Sequence, residues 1–250
     1  LNNLLIFLVI FIILFLIIYN NSKNRSRVVF IHVGKTGGTT LVNTFYFRNI
    51  VHFYHKAKYH PHMKYIISIR NPLHRFVSAF NMWSTVINKD LPKERLTLFN
   101  YVIHQGSYDM IKRRGFFVSH EYDDLIRYFK NPNNLAESLT SSDPEKKQKA
   151  HELFFNDDGH IKKNISWYLD NGKFIENNHK NIIYVTKQET LDDDVKNLSK
   201  ILNKNKNNKV LKKRVNRQKD TYLSPLAIKN LLKFYKNSEY KTLHILHKYG

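Results

Sequence analysis

Cysteine is absent from the 250-residue chain. The absence excludes disulfide bridges, thiolate nucleophiles and cysteine-based zinc sites together. Acidic residues are scarce: 20 Asp and Glu stand against 41 Lys and Arg, for a formal net charge of +21. None of the acidic residues falls between Val28 and Ile87, so that stretch offers no carboxylate ligand to a metal. No small-residue cleavage site follows the apolar N-terminus, no internal repeat is evident, and no nucleic-acid-binding module is recognisable. So basic a balance favours anionic partners such as acidic glycans or a membrane surface. Part of the excess is compositional, as in the lysine and asparagine run Asn203 to Lys213.

All the charge follows residue 19. Leu4 to Tyr19 is an unbroken apolar run; at about 1.5 Å per residue it reaches about 24 Å, a little less than a hydrocarbon core of ~30 Å. Residues 1–19 are read as a transmembrane anchor, 20–27 as a polar linker and 28–250 as one α/β domain. A cleaved signal peptide is the second reading of the first segment. The chain begins with Leu, so residues upstream are expected to be missing. Lys23, Arg25 and Arg27 after the span point to the cytoplasm by the positive-inside rule. Asn20, Asn164 and Asn197 each open an N-x-Ser sequon, of the kind an Asn-rich chain carries by chance.

The segment Val28 to Thr40, VVFIHVGKTGGTT, carries the most information. A β-branched run breaks into a glycine turn, and a helical pattern starts at Thr39. Strand, turn and helix N-terminus in that order aim backbone N–H groups and the positive helix end at one spot. Lys35 adds a cation, while Thr36, Thr39 and Thr40 add hydroxyls to the backbone of Gly37 and Gly38. The result is a phosphate cradle. It is not the nucleotide-triphosphatase loop, which needs glycine where Val29 stands.

A second element follows in Lys64 to Phe80, KYIISIRNPLHRFVSAF. Tyr65 to Ile69 suits a buried strand, Arg70 sits at its C-terminal end, Asn71 is a candidate N-cap and Pro72 suits the first helical position. Ligands of open α/β sheets bind beyond the carboxyl ends of the strands, so the Lys35 loop and Arg70 can share one crevice. Phe76, Ala79 and Phe80 have core spacing on the helix. Arg75 is read either as a phosphate contact or as a capping, snorkelling surface residue. His32 is assigned to the core; Trp83 and Trp167 are core residues first and stacking platforms second.

HVGKTGGTT resembles the 5′-phosphosulfate loop of sulfotransferases that use PAPS (3′-phosphoadenosine 5′-phosphosulfate), most closely the membrane-bound carbohydrate enzymes. Their loop often reads PKTGGTT, and Gly34 stands where proline is usual. The spacing of Arg70 and Ser78 is similar to the family's 3′-phosphate motif. NISWYL (Asn164 to Leu169), YVTKQETL (Tyr184 to Leu191, with Glu189) and NRQKDTYLS (Asn216 to Ser224) resemble later family segments. The resemblance implies a P-loop-like fold with a mostly parallel central sheet flanked by helices, preceded by a transmembrane helix. It implies PAPS as donor with no metal required, and Lys35, Thr36, Gly37, Gly38, Thr39, Thr40, Arg70, Ser78, Arg217 and Lys219 as donor contacts. It also implies a carbohydrate acceptor, a lumenal catalytic domain of Golgi type, and no nucleic acid partner. That orientation conflicts with the positive-inside reading.

Sulfuryl transfer asks for a cation at the leaving phosphate and a base for the acceptor hydroxyl. Lys35 is assigned the first role; for the second the resemblance implies a histidine after a strand between the two phosphate motifs, and His52, in Val51-His52-Phe53-Tyr54, fits that context best, with His55 next. His60 and His62 flank Pro61 in an expected surface turn; a zinc site built from the four histidines is the weaker alternative. Lys89 to Asp158 carries no family motif and is assigned to acceptor recognition. Two further readings stay open: a kinase using the acidic cluster Asp192 to Asp194, and a membrane-tethered module that binds acidic glycans or lipid headgroups.

Overall fold

The computed structural model describes residues 12, 27–51, 55–87, 120–156, 159–203 and 222–249. Strand β1 (Arg27–Ile31) leads through helix α1 (Gly38–Phe45) to β2 (Asn49–Val51). Then come β3 (Met63–Ile69) and the long helix α2 (Pro72–Ile87). Helices α3 (His120–Phe129), α4 (Pro132–Ser138), α5 (Pro144–Phe155), α6 (Ile165–Tyr168) and α7 (Lys173–Asn178) follow. Strand β4 (Ile182–Lys187) and α8 (Leu191–Ile201) close this half. The C-terminal part is α9 (Pro225–Tyr235), a π-helical turn (Lys236–Tyr240) and α10 (Lys241–Tyr249).

The four strands form one sheet in the order β2-β1-β3-β4, and every neighbouring pair is parallel. Strand alternation sorts their side chains into two layers. Phe30 and Ile66 pack with Leu41 and Phe45 of α1 and Val195 and Leu198 of α8. Val29, Ile31, Tyr65 and Ile67 pack with Ile165, Tyr168, Phe174, Ile175 and Leu246 on the opposite face. Burial on both faces explains why β1 and β3 read as continuous apolar runs. A third cluster joins Phe76 and Phe80 of α2 to Tyr122, Phe129, Leu135, Phe154, Leu231 and Tyr235.

Helix starts follow the sequence signals. Asn131 before Pro132, Asp143 before Pro144 and Ser224 before Pro225 each accept a backbone N–H from the first turn. The sequence reads Tyr122 to Asp158 as mostly helical with breaks at Pro132 and at Ser141 to Pro144, and two of these helix starts fall at those breaks. β1 stops at Ile31, although the apolar run continues to Val33; His32 N–H still reaches Val51 O at 2.9 Å. Among the described residues no helix is long and apolar enough to cross a membrane. The expected anchor lies outside them, apart from Ile12, and so does Leu91 to Gly115, which the sequence pattern reads as mostly helical.

Candidate donor-binding site

The chain runs from β1 outward to β2 on one side, then returns to place β3 on the other side of β1. The sheet order therefore reverses between β1 and β3, which is where doubly wound sheets open a crevice at their carboxyl ends. The segments leaving these two strands are the Lys35 loop and Arg70. They touch: Arg70 Nη1 donates to the Lys35 carbonyl at 3.3 Å.

Two residues of the loop occupy the left-handed region, Lys35 at φ 73 and Gly37 at φ 79. For Gly37 this conformation is unstrained; for Lys35 it is a local cost held in place by its surroundings. Gly37 caps α1 without any side-chain hydrogen bond, and the first turn holds no acidic residue. The helix start thus keeps backbone N–H groups for an anion. A Cβ on Gly37 would come within 2.9 Å of the Gln188 amide carbon, so the segment after β4 also closes on the loop. Thr39 and Thr40 lie half-buried in the first turn of α1.

Thr36 turns its hydroxyl inward, which the sequence does not announce. Its hydroxyl is buried, donates to Val33 O at 2.6 Å and lies 2.6 Å from Ser68 Oγ. A hydroxyl has one proton, and this one is committed to the interior. Through this hydroxyl Thr36 ties the loop to β3. Ser68, within the apolar strand segment, was not singled out from the sequence.

At the second element, Asn71 Oδ1 accepts Leu73 N–H at 3.0 Å and His74 N–H at 3.4 Å, the expected N-cap of α2. The Asn71 N–H is in turn held by Glu189 Oε1 at 2.9 Å, and the same oxygen lies 4.0 Å from His74 Nδ1. Glu189 thus fixes the turn that presents Arg70. Burial disfavours the charge of Arg70 and lowers its pKa, while Glu189 opposes that shift. Arg70 Nε is buried without a hydrogen-bond partner among the described residues. A half-desolvated guanidinium with an orphan N–H is a strong donor to a phosphate or sulfate oxygen.

Arg75 matches neither sequence reading. It is fully buried, and its Nε donates to Glu239 Oε1 at 3.1 Å. Its Nη1 donates to His160 O at 2.8 Å and its Nη2 to Ile161 O at 3.2 Å. The side chain is a structural cation, spent inside the fold. Ser78 lies one turn farther along α2 and is 8 % exposed.

His32 is buried and stacks on Phe30, as expected. His55, His60 and His62 are exposed, the last two beside a turn at Pro61. His52, Arg217, Lys219 and the side chain of Trp83 lie outside the described residues. Trp167 is partly buried against the sheet core. Among the described residues no three His, Cys, Asp or Glu side chains are grouped to hold a metal. In the acidic cluster, Asp194 is buried and accepts from Tyr184 OH at 2.8 Å, Lys187 N–H at 2.7 Å and Thr190 Oγ1 at 3.0 Å. It closes the β4 to α8 turn.

A glycine turn and an uncapped helix, facing an arginine across the switch point of a parallel sheet, define an anion-binding α/β domain. A family model described as the sulfotransferase family matches residues 21–249, and the chain belongs to that family. It is a sulfotransferase, an enzyme that moves a sulfuryl group from a donor to an acceptor. No curated protein and no solved structure matches the chain. The site fits an anionic donor through the orphan Arg70 Nε and the uncapped start of α1.

Proposed function

We propose that the protein transfers a sulfuryl group from PAPS to a hydroxyl of a carbohydrate acceptor. The observation that carries this reading is the Arg70 bridge to the Lys35 loop with its Nε left unpartnered among the described residues. PAPS differs from most adenine nucleotides by a 3′-phosphate, and Arg70 with Ser78 is the pair assigned to it. When bound, the donor supplies the sulfuryl group and a phosphate leaving group.

Lys35 and the N–H groups of Gly37, Gly38, Thr39 and Thr40 hold the 5′ end and stabilise the charge that grows on the leaving oxygen. His52 takes the proton of the acceptor hydroxyl, with His55 as the next candidate. Arg217 and Lys219 add cationic contacts from the later basic segment. Residues 1–19 tether the enzyme to a membrane of the secretory pathway with the catalytic domain on the lumenal side, where acidic glycans meet a basic protein surface. Lys89 to Asp158 shapes acceptor recognition.

Calorimetric titration of the full chain with PAP, the desulfated product, against AMP and ATP tests the donor assignment. Binding of PAP is expected to exceed that of AMP and to fall about 10- to 100-fold in Arg70→Ala, the loss of a charge-assisted contact. Equal affinity for PAP and AMP would overturn the reading.

A further inference from the structure

Gly34 opens the phosphate loop, yet among the described glycines only Gly37 and Gly172 have positive φ. Backbone conformation therefore does not demand glycine at position 34; space does. A Cβ there would lie 2.6 Å from Cε1 of His160 and 3.2 Å from its Cγ, with Nδ1 nearer still. Because Cγ is the root of the ring, spinning the imidazole about its own axis still leaves the Cβ in tight contact with Cγ. The residue is 4 % exposed, so the ring has no solvent to swing into. Its main chain is fixed as well: the carbonyls of His160 and Ile161 accept from the two terminal nitrogens of Arg75, whose guanidinium is closed by Glu239.

We propose that His160 is a positioning residue of the phosphate loop, its ring packed on the Gly34 backbone so as to set how the chain leaves β1 for Lys35. The functional consequence rests on the reading that this loop binds the sulfuryl donor. The connection runs from the buried Arg75–Glu239 pair through the His160 main chain and ring to Gly34, next to the left-handed Lys35. Elements far apart in sequence thereby fix the height of the loop above the sheet.

The wild type, Gly34→Ala, His160→Ala and the double variant decide it. Each is measured for PAP affinity and for amide hydrogen exchange across residues 32–41, with residues 63–69 as an internal control. Gly34→Ala drives its methyl into the ring, and PAP affinity is expected to fall about tenfold or more. His160→Ala keeps the Arg75 bonds, because they end on main-chain carbonyls. Loop exchange should nevertheless quicken about tenfold while the control strand is unchanged. In the double variant the new methyl occupies the vacated space, so affinity and protection should return above both single variants. An unchanged loop in His160→Ala, a loss spread equally over the control strand, or a double variant no better than Gly34→Ala would overturn the proposal. If the wild type itself binds no PAP, the donor assignment fails separately, and the exchange pattern of the four proteins still decides the role of His160.

Discussion

Lys35 stands in a left-handed conformation, φ 73, that costs a non-glycine residue of order 1–3 kcal/mol. Its surroundings hold it there. Arg70 Nη1 grips its carbonyl, and the next residue, Thr36, is pinned by its hydroxyl to Val33 and Ser68. Such a cost persists where the side chain is needed, and here the side chain is a cation beside an uncapped helix start. Lys35→Ala is expected to lower kcat by ~10²–10³ with a smaller change in PAP affinity, because the charge acts on the leaving oxygen late in the reaction. Lys35→Gly separates strain from chemistry. It should unfold at a higher temperature than Lys35→Ala, since glycine accepts the left-handed backbone, yet be no more active. Steady-state kinetics with thermal unfolding of both variants checks this, and turnover retained in either would remove the cation from the mechanism.

At the scale of elements, the two loops were legible in the sequence because each is a local strand–turn–helix unit whose residues sit within a few positions of one another. The Asn71–Pro72 helix start, the β1 and β3 strands and the helix breaks at Pro132 and Pro144 share that locality. What the sequence hid depends on distant partners. Arg75 and Glu239 are 164 positions apart, and nothing near Arg75 announces a carboxylate waiting in a π-helical turn. The inward turn of Thr36 depends in the same way on Ser68, across the sheet. Burial raises the pKa of Glu239, with Arg75 opposing the shift. Glu239→Ala takes the carboxylate from the buried Arg75 guanidinium, leaving it the His160 and Ile161 carbonyls, and is expected to cost about 3–5 kcal/mol. Arg75→Met with Glu239→Leu should cost less than the sum of the singles, since both charges leave together. It should not reach wild-type stability, because the His160 and Ile161 carbonyls lose their donors. Urea unfolding of the three variants measures the coupling, and strict additivity would mean that the pair contributes no interaction energy.

At the scale of the whole molecule, the third core cluster joins α2 to α3, α4, α5 and α9, and the Arg75–Glu239 pair adds the π-helical turn, so the C-terminal part is bound to the helix that leaves the site. Tyr235 sits in that junction, fully buried, and desolvation followed by the Glu239 charge pushes its phenol far above the usual range. Tyr65, Tyr184 and Tyr240 are raised as well, each chiefly by burial. The sign follows from proton linkage. With the folded pKa above the unfolded value of about 10, the native state keeps a proton that the unfolded chain releases. The stabilisation is complete below pH about 10 and is lost as pH rises beyond it. Between pH about 10.5 and 12, Tyr235 alone should lower the unfolding free energy by about 1.4 kcal/mol per pH unit. Tyr235→Phe removes the titrating group while keeping the ring, so its stability should fall with a shallower slope over the same interval. Unfolding midpoints taken at half-unit steps across that range would separate the two proteins. Parallel slopes would mean that alkaline unfolding is driven elsewhere and that the α2 to α9 junction is not the part that opens first.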